Sequence, residues 1–135
     1  MSLIAWGSRF FVGNGDIDGQ HEKLVQLINR LHEHMVAGDA AEIMDKVLDR
    51  VIQYTGFHFG TEEELMAKHA YPKAAAHLAE HKKLVQTALE LQSKVRAGHA
   101  HITMETMNFL RNWLQHHIME SDMELGKFLK AKGEA

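Results

Sequence analysis

Cysteine is absent from the 135-residue chain, and proline occurs once, at Pro72. The lack of cysteine excludes disulfides, thiolate-bound zinc and iron–sulfur clusters, so folding needs no oxidising compartment. A single proline leaves long stretches on both sides free to be helical, because proline interrupts helices most strongly. The chain is 45% apolar and 24% charged, which is typical of one globular domain.

Long apolar runs and an excess of positive charge are missing as well. No run approaches the roughly 18 apolar residues of a membrane span. The opening MSLIAWGSRFF lacks the basic start and apolar core of a secretory signal. The formal net charge of −3 provides no basic surface for nucleic acid or an acidic membrane. We therefore expect a cytoplasmic protein that binds neither nucleic acid nor membrane.

Four stretches of helical periodicity are present, at about residues 19–37, 40–68, 72–97 and 103–125. Asp18 is predicted to cap the first helix, and Pro72 to be the first residue of the third. Short breaks separate the stretches, so consecutive helices should be antiparallel neighbours. The sequence predicts a single all-α domain over residues 1–135. This domain is an antiparallel up-down-up-down four-helix bundle (19–125) with an irregular N-terminal arm (1–18) and a fraying C-terminal tail (126–135).

Polar side chains lie on the apolar stripe of every predicted helix: His21, His58 with Glu62, His77 with His81, and His117. A single histidine on such a stripe is most often a hydrogen-bonded core residue, and one i,i+4 pair is compatible with an exposed position. Burying the whole set costs several kcal/mol unless its members are paired or coordinated. In an antiparallel bundle these positions all fall at one end, which favours a shared metal centre.

The type and number of these ligands constrain the metal. Imidazole and carboxylate without sulfur suit iron, zinc or manganese. Five histidines with carboxylates exceed what one tetrahedral zinc can use, so the sequence indicates two metal ions. Two octahedral irons with these ligands and a bridging oxo or hydroxo group keep one position open, where dioxygen can bind.

The second carboxylate is left open by periodicity. Glu120 and Glu124 lie three and seven residues after His117, on the same face of an ideal helix. Asp122 lies five residues after His117, about 140° away around that helix. A local π-type bulge, which is common at functional sites, brings Asp122 inward instead.

Four segments of the sequence resemble the hemerythrins, most closely their single-domain bacterial form. The segments are IDGQH at 17–21, HFGTEEELM at 58–66, YPKAAAHLAEH at 71–81 and WLQHHIMESD at 113–122. A histidine followed by His-x3-Glu, His-x3-His and His-x4-Asp in this order is specific, although each part alone is weak.

The resemblance implies a role for each site residue. His21 and His58 correspond to ligands of the iron with the open position, and His77, His81 and His117 to ligands of the other iron. Glu62 and Asp122 correspond to the bridging carboxylates, which favours Asp122 over its two rivals. Five residues correspond to an apolar wall around bound oxygen: Leu24, Phe59, Trp113, Leu114 and Ile118. Glu63 and Glu64 are expected to be solvated or to support the ligands, and six histidines to be non-ligands: His32, His34, His69, His99, His101 and His116.

The function that the resemblance implies is reversible dioxygen binding at a non-haem, oxo- or hydroxo-bridged diiron centre. The protein would then be a monomeric oxygen carrier, storage or delivery protein, with dioxygen as its ligand and an oxygen-consuming enzyme as a candidate partner. The alternatives are a diiron oxidase, peroxidase or nitric oxide reductase, an oxygen or iron sensor acting through a partner, and a structural bundle with zinc or no metal. Oxygen-activating bundles use more carboxylates, so five histidines favour binding over catalysis.

Overall fold

The computed structural model describes residues 2–98 and 101–134. Helices, turns and an irregular N-terminal arm make up this part of the chain, which contains no strand. The α-helices are α1 (Gly15–Val36), α2 (Ala41–Lys68), α3 (Ala74–Arg96), α4 (Met104–His116) and α5 (Met123–Ala131). A 3₁₀ turn at Ser8–Phe10 precedes α1, and a π-helical turn at His117–Asp122 connects α4 to α5.

The helices form the predicted four-helix bundle. α1 packs against α2 and α4, and α2 packs against α3. α4, the π turn and α5 follow one another without interruption and provide the fourth long helical segment. Apolar side chains on the inner faces of the helices form the core, with Leu24, Leu48 and Leu114 almost fully buried. None of the described helices combines the length and hydrophobicity needed to cross a bilayer.

α1 begins four residues earlier than predicted. Asn14 is its N-cap, and Oδ1 of Asn14 accepts a hydrogen bond from the Ile17 N–H at 3.1 Å. Asp18 lies inside the helix. Its carboxylate accepts hydrogen bonds from the backbone N–H groups of Val12, at 2.8 Å, and Gly13, at 3.3 Å. The prediction of Asp18 as cap was therefore wrong, because this side chain holds the arm against the helix.

Two further boundaries differ from their predictions. Pro72 lies in the turn before α3, which begins at Ala74, and Ala70 in the same turn has a φ of 51°. The segment after Gly126 is not a frayed tail, because α5 continues to Ala131 and buries Leu129. Apolar packing of this last helix against the rest of the core explains its persistence.

Candidate metal centre

Seven polar side chains are buried together at one end of the bundle, each at most 3% exposed: His21, His58, Glu62, His77, His81, His117 and Asp122. Their ligand atoms form two groups, each of which fits within 4.8 Å. One group contains His21 and His58, and the other contains His77, His81 and His117. Glu62 and Asp122 belong to both. The structure thus brings together every side chain that the sequence nominated as a metal ligand.

Helix direction explains this meeting of distant residues. His21 lies near the start of α1, whereas His58 and Glu62 lie near the end of α2. His77 and His81 occupy the start of α3, and His117 follows the end of α4. Since neighbouring segments run antiparallel, early positions of α1 and α3 lie level with late positions of α2 and with the π turn of the fourth segment. The i,i+4 spacing then directs both members of each pair inward.

Glu62 directs one carboxylate oxygen to each group of histidines. Oε2 lies 3.0 Å from Nε2 of His58 and 3.5 Å from Nε2 of His21. Oε1 lies 3.0 Å from Nε2 of His77 and 3.0 Å from Nε2 of His81. The carboxylate therefore spans the two groups.

Asp122 has the same arrangement on the other side of the cluster. Oδ2 lies 2.9 Å from Nε2 of His21, in the first group. Oδ1 lies 3.0 Å from Nε2 of His77 and 3.1 Å from Nε2 of His117, in the second. Two carboxylates that each offer one oxygen to both groups are suited to bridging two cations.

The π turn determines which acidic residue of the fourth segment faces the cluster. Hydrogen bonding from i to i+5 brings residues five apart onto one face, so His117 and Asp122 both point inward. Asp122 is fully buried, whereas the side chains of Glu120 and Glu124 are 66% and 49% exposed. The π-type bulge considered for this segment is present.

Several atoms of the cluster lie close together without forming hydrogen bonds. Among the described residues, both ring nitrogens of His21, Oε2 of Glu62 and both oxygens of Asp122 are buried and make no hydrogen bond. Yet Nε2 of His21 is 2.9 Å from Oδ2 of Asp122 and 3.5 Å from Oε2 of Glu62. Buried polar atoms without partners are costly. Cations held between them would satisfy these atoms together, so the residues fit a metal site of nitrogen and oxygen ligands.

Charge also favours cation binding here. Burial by itself lowers the pKa of His21 and His77, but the adjacent carboxylates of Asp122 and Glu62 outweigh it and raise the two pKa values to about 9 and about 10. Burial favours the neutral form of both carboxyl groups, and at Asp122 the charge of Glu62 adds to this. The surrounding histidines outweigh both effects and hold the pKa of each carboxyl well below its usual range. Without metal, protons therefore compensate the buried negative charge.

The five residues predicted to form an apolar wall lie in the core. Leu24, Phe59, Leu114 and Ile118 are at most 3% exposed, and Trp113 is half-buried. The ring of Phe59 stacks on His81 at a centroid distance of 3.6 Å, and Trp113 stacks on His117 at 4.6 Å. Leu24, Trp113 and Leu114 also line a largely apolar cavity of about 450 Å³ between the helices.

Two residues that the sequence analysis did not nominate contact the site. Gln20 and Glu80 accept hydrogen bonds from Nδ1 of His58 and His117. Gln20 directly precedes His21 in the sequence, and Glu80 directly precedes His81. The histidine that each one contacts, however, lies on another helical segment. Adjacency to a candidate ligand is thus the only sequence signal for them. Glu63, expected to be solvated or supporting, is partly exposed and hydrogen-bonds Nδ1 of His81.

Five of the six histidines predicted to be non-ligands lie in the described residues, and all five are outside the two groups. His34, His69 and His116 pair with Asp39, Glu134 and Glu120. His32 is half-buried and His101 is exposed, while His99 lies outside the described residues.

Comparison with known proteins identifies the family of this chain. The family model of the hemerythrin HHE cation binding domain matches residues 12–129. Bacteriohemerythrin of Methylococcus capsulatus is 40% identical over 132 residues, which cover 97% of this chain and 100% of that protein. A hemerythrin-like protein of Naegleria gruberi is 36% identical, and the match covers 91% of each chain.

Solved structures give the same result. A wild-type hemerythrin is 37% identical and aligns with a TM-score of 0.88, covering 93% of this chain and 97% of that chain. A mutant hemerythrin aligns with a TM-score of 0.90 at the same identity. The resemblance read from four short segments is confirmed over nearly the whole chain, and the protein belongs to the hemerythrin family.

Proposed function

We propose that this protein binds dioxygen reversibly at a pair of iron ions. In this proposal His21 and His58 hold one iron, and the three remaining site histidines hold the other. Glu62 and Asp122 would each offer one carboxylate oxygen to both ions. When bound, the iron pair supplies the electrons that reversible dioxygen binding requires.

The observation that carries the proposal is the split of each carboxylate between the two groups of histidines. In Glu62 the Oε1 and Oε2 atoms serve different groups, at distances of 3.0 to 3.5 Å from the ring nitrogens. In Asp122 the two oxygens are divided in the same way. One metal ion does not need this division, whereas two ions joined by carboxylates do.

The unequal groups suit the binding of a small ligand. Three imidazoles fill more coordination positions on one side than two imidazoles do on the other. The two-histidine half therefore retains room for a diatomic molecule. In this proposal Leu24 and Leu114 keep water away from the bound molecule, because their aliphatic side chains are buried and offer no hydrogen bonds.

Binding is favoured over catalysis by the same residues. The cluster contains five histidines and two carboxylates, whereas oxygen-activating bundles use a carboxylate-rich set. All seven side chains are at most 3% exposed, which suits a diatomic ligand better than a large substrate. A cytoplasmic carrier that delivers oxygen to an oxygen-consuming enzyme is the role that we propose.

Iron analysis and absorption spectra test the proposal. We expect two irons per chain, a visible band that appears in air, and loss of that band when nitrogen replaces oxygen. Steady consumption of oxygen or peroxide in the presence of a reductant would indicate an enzyme instead. Protein that binds only zinc, or that remains colourless in air with two irons, contradicts the proposal.

A further inference from the structure

The outward-facing nitrogens of the site histidines have partners of different charge. In the three-histidine group, Nδ1 of His81 lies 3.1 Å from Oε2 of Glu63, and Nδ1 of His117 lies 3.1 Å from Oε1 of Glu80. Each of these imidazoles therefore donates a hydrogen bond to a carboxylate while its Nε2 faces the cluster. Two negative charges thus lie directly behind this group.

The two-histidine group has no such charge in the described structure. Nδ1 of His58 lies 2.8 Å from Oε1 of Gln20, a neutral amide. Nδ1 of His21 is buried and makes no hydrogen bond to any described residue. The two halves of the cluster therefore differ in the charge behind their ligands as well as in their number of histidines.

Glu80 has a second set of contacts that fixes its orientation. The hydroxyl of Ser121 donates to both carboxylate oxygens of Glu80, at 2.9 Å each. Ser121 lies in the π turn immediately before Asp122. Glu80 thus connects α3 to the turn that carries two site residues, and Gln20 is similarly held because its amide nitrogen donates to Thr61.

We propose that Glu63 and Glu80 are positioning residues that strengthen metal binding selectively in the three-histidine half. An imidazole that donates to a carboxylate is a better ligand, since partial loss of its outer proton raises electron density at the inner nitrogen. Both carboxylates are about 40% exposed, so solvent screens their charge and the hydrogen-bonded imidazole is the main route of the effect. The inference rests on the proposed diiron centre.

Replacing a glutamate by glutamine separates the effect of its negative charge from the effect of its hydrogen-bond geometry. In Glu63→Gln or Glu80→Gln, the amide oxygen can still accept from the histidine, but the negative charge is removed. The reciprocal change, Gln20→Glu, adds a charge behind His58. Glu64→Gln is the matched control, because Glu64 is an exposed neighbour on the same helix as Glu63.

The experiment loads each variant with ⁵⁷Fe(II) under nitrogen and follows iron release to ferrozine. We expect two phases in the unsubstituted protein, with the three-histidine iron leaving last. Glu63→Gln and Glu80→Gln should accelerate the slow phase about tenfold or more, and Gln20→Glu should slow the fast phase. Mössbauer spectra should show a change in one of the two iron doublets for each substitution, and Glu64→Gln should match the original protein.

The outcomes separate the inference from the function on which it rests. Two phases that the glutamine variants leave unchanged, or accelerate equally, overturn the positioning role while leaving the diiron centre intact. Failure of the unsubstituted protein to bind two irons overturns both. If Glu80→Gln does not fold, Glu63→Gln and Gln20→Glu decide the matter, because their hydrogen bonds are independent of the π turn.

Discussion

Among the single residues, substitution of Asp122 gives the most direct test of the metal centre. We predict that Asp122→Asn lowers the iron content from two ions per chain to one or fewer. The amide loses the charge that serves both groups of histidines and offers only one ligand oxygen. Plasma emission analysis of purified protein measures the ratio.

Glu120→Gln is the control for this change. Glu120 belongs to the same π turn, but its side chain is 66% exposed and pairs with His116 at the surface. It should retain full iron content. Loss of iron from this variant, with Asp122→Asn unaffected, would reverse the assignment.

Leu114 tests the apolar wall. Leu114→Ala should shorten the lifetime of the oxygenated absorption band, because a larger space next to the site admits water and small anions. The cavity should also destabilise the fold by about 2–5 kcal/mol. The band's decay in air and denaturant unfolding give the two values.

Leu110→Ala separates these effects. Leu110 lies one turn earlier on α4, is 9% exposed and lines the same cavity, but is not part of the predicted wall. A similar loss of stability with an unchanged band lifetime is expected. Equal lifetimes in both variants would remove Leu114 from the oxygen pocket.

At the scale of helices, the interior of each element was predictable and the ends were not. The stripes depend on a period that the sequence displays over many turns. The start of α1 depended instead on a competition between Asn14 and Asp18, which are both good caps. Hydrogen bonds from the arm at Val12 and Gly13 to Asp18 decided it. A cap is recognised from the N–H groups that follow it in the helix, so bonds to preceding residues give no capping signal.

The site was predictable to a similar degree. Residues on regular helices could be placed from spacing, and the family resemblance supplied the order of their roles. Asp122 could not be chosen from periodicity, because the calculation assumes an α-helix and the segment His117–Asp122 is π-helical. Gln20 and Glu80 escaped notice because each supports a histidine on another helix.

Gly126 provides a test of how α5 docks on the arm. A Cβ at this position would overlap the Val12 carbonyl oxygen and lie 2.9 Å from the Val12 Cβ. We predict that Gly126→Ala displaces the arm and lowers the free energy of unfolding by about 1–3 kcal/mol. Chemical denaturation measures this loss.

Gly56→Ala is the opposite case on α2. A Cβ there meets no atom within 4 Å among the described residues. Alanine should stabilise the helix by up to about 1 kcal/mol. If both alanine variants were stabilising, the close approach of α5 to the arm would be disproved.

For the whole molecule, the buried charges predict the pH dependence of the metal-free protein. The raised pKa values of His21 and His77 give stability that is complete below the unfolded value of 6.5 and is lost as pH rises through about 9 to 10. The lowered pKa values of Glu62 and Asp122 give stability above about pH 4.5 that is lost in acid. Maximum stability should therefore fall between about pH 4.5 and 6.5.

Denaturant unfolding of metal-free protein from pH 4 to pH 10 checks this dependence. Asp122→Asn should flatten the alkaline decline, because it removes a carboxylate that raises both histidine pKa values. A free energy of unfolding that increases from pH 7 to pH 10 would contradict the electrostatic argument.

The π turn has a consequence for the length of the fourth helical segment. Four residues separate His117 from Asp122 in this turn. In the His-x3-Glu pair of α2 and the His-x3-His pair of α3, three residues separate the two ligands. Met119 and Glu120, within this loop of backbone, both face solvent. The turn is therefore equivalent to a one-codon insertion at the surface. Deletion of Met119 should give an uninterrupted α-helix with the two ligands four apart, and the iron content of that variant would reveal whether the regular spacing suffices.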